Sequence, residues 1–222
     1  MPLQQPTRST PDVGRVRVHG RRVFVIAASA GGVQALITVL AALPRDFPAA
    51  IVIVLHRPRN ASQLVEILQA RCSLRVKRAD EGEWPNGGTV YVAPTDCHLV
   101  IRPDGRFGYL HGAKVRHVWS AANPLFETAG TTLAPDVVGV VLTGGDSDAT
   151  DGVQTIRRHG GIVIAQDRAS SQCFSMPDAA IRSGAVDQVV PLAAIGPLLG
   201  VLARRTASAS TEATAQEAAR WT

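Results

Sequence analysis

The sequence is short of several things, and each shortage excludes a class of protein. It has only three cysteines in 222 residues, Cys72, Cys97 and Cys173, odd in number and far apart. A disulfide scaffold is excluded, as are the close cysteine pairs of metal knuckles and redox motifs, so the three read as reduced structural side chains. No apolar run approaches the roughly 20 residues that a membrane-spanning helix needs. The opening "MPLQQPTRST" also lacks the apolar core of a signal peptide. Neither membrane insertion nor secretion is expected, and the cytoplasm is the expected location. Aromatic residues make up 5% of the chain, and none interleave with its basic residues to form a nucleic-acid platform. The net charge of +5 is spread out, with a local group at Arg15, Arg17, Arg21 and Arg22. It reads as a solvated basic arm, and nucleic acid is not an expected partner.

What is present is a core. A chain of 222 residues, 45% of them hydrophobic, suits one domain. Residues 1–20 and 206–222 are poor in core-forming side chains and read as a flexible basic N-terminal arm and a disordered tail around a domain at 21–205. Inside it, short apolar runs alternate with helical periodicity, the pattern of an α/β sheet. "RVFVIAA", "AAIVIVLH", "DVVGVVLTGG" and "GIVIAQ" are continuous apolar strands, as parallel strands covered on both faces are. Helices are expected over "GGVQALITVLAAL", "ASQLVEILQAR", from Asn123-Pro124 to about 133, over 150–159, from Pro177 to Gly184 and over 193–204. Asn60 is placed to cap the second of these, with Gln63 reaching back. Residues 84–111 break the rhythm with turn signals at Asn86-Gly87 and Asp104-Gly105, which predicts a hairpin-rich insertion and a mixed sheet.

Three chemical groups fall at strand ends, where an open α/β sheet gathers its ligands. Ser29 follows the first strand, His56 closes the second, and "TGGDSDATDG" follows the strand that ends at Leu142. Together they are the set that activates a hydroxyl: imidazole takes its proton, a carboxylate orients the imidazole, and backbone amides steady an oxyanion. Each residue also has a plain structural reading. Ser29 suits a helix cap, His56 a satisfied buried side chain, and Asp146, Asp148 and Asp151 caps of the following helix. "AASAG" approaches the G-x-S-x-G elbow with Ala27 in place of the first glycine. "AASAGG" fits neither dinucleotide nor P-loop spacing, and His56 stands where a ribose-binding acid would be. No metal-ligand spacing and no cofactor motif is present.

The ordered motifs resemble the catalytic domain of the CheB family of chemotaxis receptor methylesterases, over about residues 22–204. "IAASAGG" is similar to that family's I-G-A-S-T-G-G, "LHRP" to Q-H-x-P, and "YVAPTDCHLVI" to Y-x-A-P-x-x-x-H. "VLTGGDSDATDG" is similar to L-T-G-M-G-x-D-G-A-x-G, and "AQDRASSQCFSMPDAAI" to a run that opens A-Q-D and closes M-P-x-x-A-I. The resemblance implies a doubly wound, mostly parallel sheet in a three-layer α/β/α arrangement with an antiparallel hairpin insertion. It also implies cofactor-free hydrolysis of glutamate γ-methyl esters on chemoreceptor cytoplasmic helices, or a similar methylated protein, to glutamate and methanol. Glutamine deamidation often accompanies that activity. Ser29 is then nucleophile, His56 base and acid, and Asp148 the orienting carboxylate; Ala30, Gly31 and Gly145 are the expected oxyanion and positioning residues. The sequence departs from the motifs at Ala27, Ala30, Leu55, Gly145, Asp146, Ser147 and Ala149. The family's usual receiver domain has no counterpart in the 20 residues before the domain, so phosphorylation in cis is not expected, and a separate regulatory protein is an admissible partner. Two other readings keep the fold: a non-catalytic module that binds a signalling partner, and a nucleotide-binding α/β protein. An ordinary imidazole at His56 predicts activity rising with pH through roughly 6 to 7.

Overall fold

The computed structural model describes residues 22–56, 63–111 and 120–204. The expected arm, the tail and the cap at Asn60 lie outside them. The elements in chain order are β1 (Val23–Ala28), α1 (Gly32–Ala41), β2 (Ala50–Leu55), α2 (Leu64–Gln69), β3 (Arg75–Arg78), β4 (Thr89–Val92), β5 (His98–Ile101), β6 (Phe107–Leu110), α3 (Ala122–Leu133), β7 (Val137–Val141), α4 (Thr150–Arg158), β8 (Ile162–Gln166), α5 (Ser175–Arg182), β9 (Gln188–Val190) and α6 (Leu192–Arg204).

β1 explains why its sequence is apolar at every position. Successive side chains of a strand point to opposite faces, and both faces here are covered. Phe24, Ile26 and Ala28 join a core with Leu36, Val39 and Leu40 of α1, Leu68 of α2 and Leu199 of α6. Val23, Val25 and Ala27 join a second core with Leu125, Phe126 and Ala129 of α3, Val153 and Ile156 of α4 and Met176 of α5. The result is three layers, with the sheet as the middle one. Each large aliphatic side chain buried in this way stabilises the fold by about 1.5–3 kcal/mol.

The main sheet has seven strands in the order β3-β4-β2-β1-β7-β8-β9, and every pairing in it is parallel. β5 and β6 pair antiparallel in a separate two-stranded sheet. The expected hairpin insertion is there, but it does not enter the main sheet, so the expectation of a mixed sheet is corrected. The turn signal at Asp104-Gly105 does close that hairpin, where the Arg102 amide bonds the Arg106 carbonyl at 2.8 Å. The signal at Asn86-Gly87 instead precedes β4, which runs parallel between β3 and β2. Strand order reverses at β1, with β2 on one side and β7 on the other, and such a switch point opens a crevice at the strands' carboxyl ends.

α3 and α4 pack closely enough to require glycine. A Cβ on Gly152 would lie 2.3 Å from Phe126 Cβ. One on Gly130 would lie 2.9 Å from the Ile156 amide nitrogen. This close approach brings the N-terminus of α3 against the loop that leads into α4.

Candidate active site

The switch point gathers the three predicted groups. Ser29 follows β1, His56 follows β2, and the loop from Leu142 to Ala149 follows β7. Backbone bonds tie the three ends together. The Ser29 amide donates to the Thr143 carbonyl at 2.9 Å, and the His56 amide to the Ala28 carbonyl at 3.0 Å. The Thr143 hydroxyl lies 2.9 Å from the Ala30 carbonyl and 3.1 Å from that of Cys173, and it accepts the Cys173 amide at 2.8 Å. That adds the loop before α5 to the assembly.

His56 lies between two carboxylates. Its Nε2 is 2.7 Å from Asp148 Oδ2, and its Nδ1 is 2.9 Å from Asp146 Oδ2. The imidazole is 6% exposed, Asp148 fully buried and Asp146 40% exposed. Burial alone pulls the imidazole pKa down, but the hydrogen bonds to Asp146 and Asp148 and the charges of both outweigh it and raise it to about 9. Both carboxyls are held below the usual carboxylate range. Burial pushes each up, and the His56 hydrogen bond, with backbone amides, more than reverses it. The pH window expected from an ordinary imidazole therefore moves upward, from 6 to 7 to about 9.

Asp148 also organises the backbone. Its Oδ1 accepts the amides of Asn123 at 3.1 Å and Ala149 at 2.8 Å, while Oδ2 accepts the Ala122 amide as well as His56. Ala122 and Asn123 begin α3, where free amides and the helix dipole favour an anion. α3 returns the contact, because Asn123 Oδ1 accepts the Gly152 amide in the first turn of α4 at 2.9 Å. The plain structural alternative, an aspartate side chain capping α4, is not realised. Its cap is Ala149 with no side-chain cap bond, and Asp148 serves α3 instead. Ala149 holds φ 73, a left-handed conformation that costs an alanine roughly 1–2 kcal/mol. Three hydrogen bonds on its neighbour Asp148 from the start of α3 and from His56 hold the loop in place.

Ser29 is not a helix cap. The cap of α1 is Gly31, at φ 77, and no side chain bonds there. A Cβ on Gly31 would lie 2.4 Å from Gln172 Oε1. Among the described residues the Ser29 hydroxyl makes no hydrogen bond, and the amides of Ala30, Gly31 and Gly145 have no acceptor. Ser29, His56 and Asp148 therefore meet at neighbouring strand ends, but the Ser29-to-His56 hydrogen bond is not made in this arrangement. Ser29 is partly exposed and Ala30 exposed.

Sequence reasoning gave no role to three residues that build this site. Gln166, fully buried at the end of β8, accepts the Thr143 amide at 2.9 Å and donates to the Ser170 carbonyl at 2.8 Å. His98, buried at the start of β5, accepts the Ala121 amide at 3.1 Å and fixes the approach to α3. Thr143 joins the loops as described above. The available signal was a polar residue ending an otherwise apolar strand, in "IVIAQ" and in "VVLT". Cys72, Cys97 and Cys173 are free thiols, as expected. No described helix is long and apolar enough to cross a membrane.

The chain is thus a three-layer, doubly wound parallel α/β protein with serine, histidine and aspartate at adjoining strand ends, where such sheets gather their ligands. The comparisons narrow this. The family model for the CheB methylesterase matches residues 24–199. The chain is 38% identical over 176 residues to a putative protein-glutamate methylesterase/protein-glutamine glutaminase of Leptospira interrogans, covering 79% of this chain and 91% of that one. It is 39% identical to the protein-glutamate methylesterase FrzG of Myxococcus xanthus, covering 80% of this chain and 53% of that one. It thus spans about nine tenths of the first relative and about half of the second. The crystal structure of the Thermotoga maritima CheB methylesterase catalytic domain superposes with a TM-score of 0.79 at 33% identity, covering 82% of this chain and 98% of that one. The chain belongs to the CheB methylesterase family, and with it to the carboxylic ester hydrolases.

Proposed function

We propose that this protein hydrolyses glutamate γ-methyl esters on the cytoplasmic helices of chemoreceptors, or on a similarly methylated protein, with deamidation of glutamine as a companion reaction. The observation that carries the reading is the meeting of Ser29, His56 and Asp148 at the carboxyl ends of β1, β2 and β7 in a chain of this family. The Ser29 hydroxyl attacks the ester carbonyl carbon and passes its proton to neutral His56. The carbonyl oxygen becomes an oxyanion, received by the unpartnered amides of Ala30 and Gly31 at the start of α1. Histidinium then protonates the departing methoxide, which leaves as methanol. His56 next deprotonates a water that attacks the acyl-serine, and returns that proton to Ser29 as glutamate leaves. Throughout, Asp148 holds the imidazole orientation and balances its charge. An amide in place of the ester gives ammonia by the same steps, which is the chemistry of deamidation.

Ser29→Ala is expected to abolish methanol release from a methylated receptor while circular dichroism and melting temperature stay those of the parent. Undiminished release would overturn the mechanism. The non-catalytic module is kept as a second reading because both His56 nitrogens are held by carboxylates and Ser29 is bonded to neither. A serine-directed phosphonate separates the two, since stoichiometric labelling at Ser29 requires an activated hydroxyl and a binding module gives none.

A further inference from the structure

We propose that Asp146 is a positioning residue that holds the esterase closed: it occupies the His56 nitrogen that must face Ser29, and its release from His56 opens the site. The inference rests on the reading of Ser29 and His56 as nucleophile and base. It begins from a count of nitrogens. An imidazole has two, and a serine hydrolase needs one for the carboxylate and one for the serine. Here Nε2 goes to Asp148 and Nδ1 to Asp146, which leaves none for Ser29.

The two carboxylates are not equivalent. Asp148 is fully buried and fixed by three backbone amides from α3 and its own loop. Asp146 is 40% exposed, and among the described residues it accepts, besides His56, only the Asp148 amide, through its other oxygen at 2.9 Å. A rotation of its side chain toward water gives up these two bonds but no helix contact and frees Nδ1, whereas Asp148 has no such exit. Asp148 is therefore the permanent partner of the imidazole and Asp146 the removable one. Asp146 also stands where the family motif quoted above carries glycine.

With both carboxylates ionised, the preferred charge state of the ring between them is imidazolium, with a proton on each nitrogen. Imidazolium cannot accept the Ser29 proton. Among the described residues, the charges acting directly on His56 are Asp146 and Asp148, both from the β7–α4 loop. Behind Asp148, Asp151 of α4 and Glu127 of α3 are coupled to one another and add negative charge, with Arg158 opposing them. β1 offers Ser29, which carries no charge, and the loop before α5 joins through the Cys173 backbone. Loss of the Asp146 charge therefore removes one of the two anions that hold the proton on the ring.

The test uses the full chain and two variants. Asp146→Asn keeps an oxygen for the Asp148 amide and replaces the oxygen that accepts from His56 with a donor, so the loop is preserved. Asp146→Gly removes the clamp altogether. Ring-nitrogen NMR follows the His56 titration without reference to activity, and the rate of phosphonate labelling at Ser29 is measured from pH 6 to 10. The parent is expected to titrate, and to become reactive, with an inflection near pH 9. Both variants are expected to titrate at least one pH unit lower, and Asp146→Gly, which alone leaves Nδ1 unoccupied, to label about 10-fold faster at pH 7, because the neutral fraction of the base rises by that factor per unit. Unchanged titration and an unchanged or slower rate at pH 7 in both variants would overturn the clamp while leaving the esterase intact. A lowered His56 titration with no labelling of any chain at any pH would instead overturn the esterase reading and, with it, the proposed role of the clamp.

Discussion

Replacing Asp148 by asparagine is isosteric, and the structure makes it costly all the same. The carboxylate faces four donors: Asn123 and Ala149 on Oδ1, and Ala122 and His56 on Oδ2. A carboxylate accepts at both oxygens, whereas a carboxamide accepts at one and donates at the other. If the oxygen stays with Asn123 and Ala149, the amide group points at the Ala122 N–H. If it turns the other way, the amide group points at two N–H groups. In the better orientation one buried amide loses its acceptor, worth about 1–3 kcal/mol, and a charge-assisted bond to His56 is lost, worth about 1.5–3 kcal/mol. Asp148→Asn is therefore expected to cost about 3–5 kcal/mol, close to Asp148→Ala, and a large part of the 5–15 kcal/mol typical of a domain. Urea unfolding at pH 7 followed by circular dichroism measures it. The same substitution made in His56→Ala removes the ion pair from the comparison and should still cost about 1–3 kcal/mol, the α3 share alone. A cost below 1 kcal/mol in the parent background would refute the reasoning, because the α3 amides would then be finding acceptors elsewhere.

Two further outcomes follow from the same contacts. The His56 pKa is about 9 when folded against about 6.5 unfolded, so its stabilisation is complete below pH 6.5 and is lost as pH rises through 9. Linkage makes that about 3 kcal/mol, so the melting temperature should fall by roughly 6–12 °C between pH 6.5 and 9.5. His56→Gln should flatten that decline, and a parent chain with no decline would contradict the raised pKa. Gly152→Ala should destabilise by about 2 kcal/mol although alanine is the better helix former, since its Cβ would meet Phe126 Cβ at 2.3 Å. A raised melting temperature in that variant would show that α3 and α4 can move apart without loss.

The layered sheet was legible because its cause is local to each strand. A strand covered on both faces must be apolar at every position, and Val23–Ala28 and Ala50–Leu55 are buried throughout. The meeting of Ser29, His56 and an aspartate was legible from a rule about strand ends. β4 was misjudged for a physical reason: Asn86-Gly87 is a turn signal, but a turn does not determine the partner of the strand after it. Tyr91 and its neighbours pair in parallel with β2 and β3, a long-range outcome. The second carboxylate on His56 was not legible at all. Asp146 and Asp148 are two residues apart, and in an extended segment that spacing would put both on one side. Here the loop bends so that they grip opposite nitrogens of one ring, with Ala149 left-handed beside them.

This division between the two aspartates has a consequence for how the site can change. Asp148 is the acceptor for the start of α3, α3 in turn holds Gly152 of α4 through Asn123, and α4 is entered through Asp148 itself. The ring of contacts closes on the residue that orients His56, so alteration of the orienting carboxylate disturbs two helices at once. Asp146 sits outside that ring, with one oxygen on a loop amide and the other on His56. Its half-exposed side chain can exchange the imidazole for water without breaking a helix contact. Stability and charge control thus rest on different carboxylates two residues apart, which allows the reactivity of Ser29 to be set by Asp146 while the fold is held by Asp148.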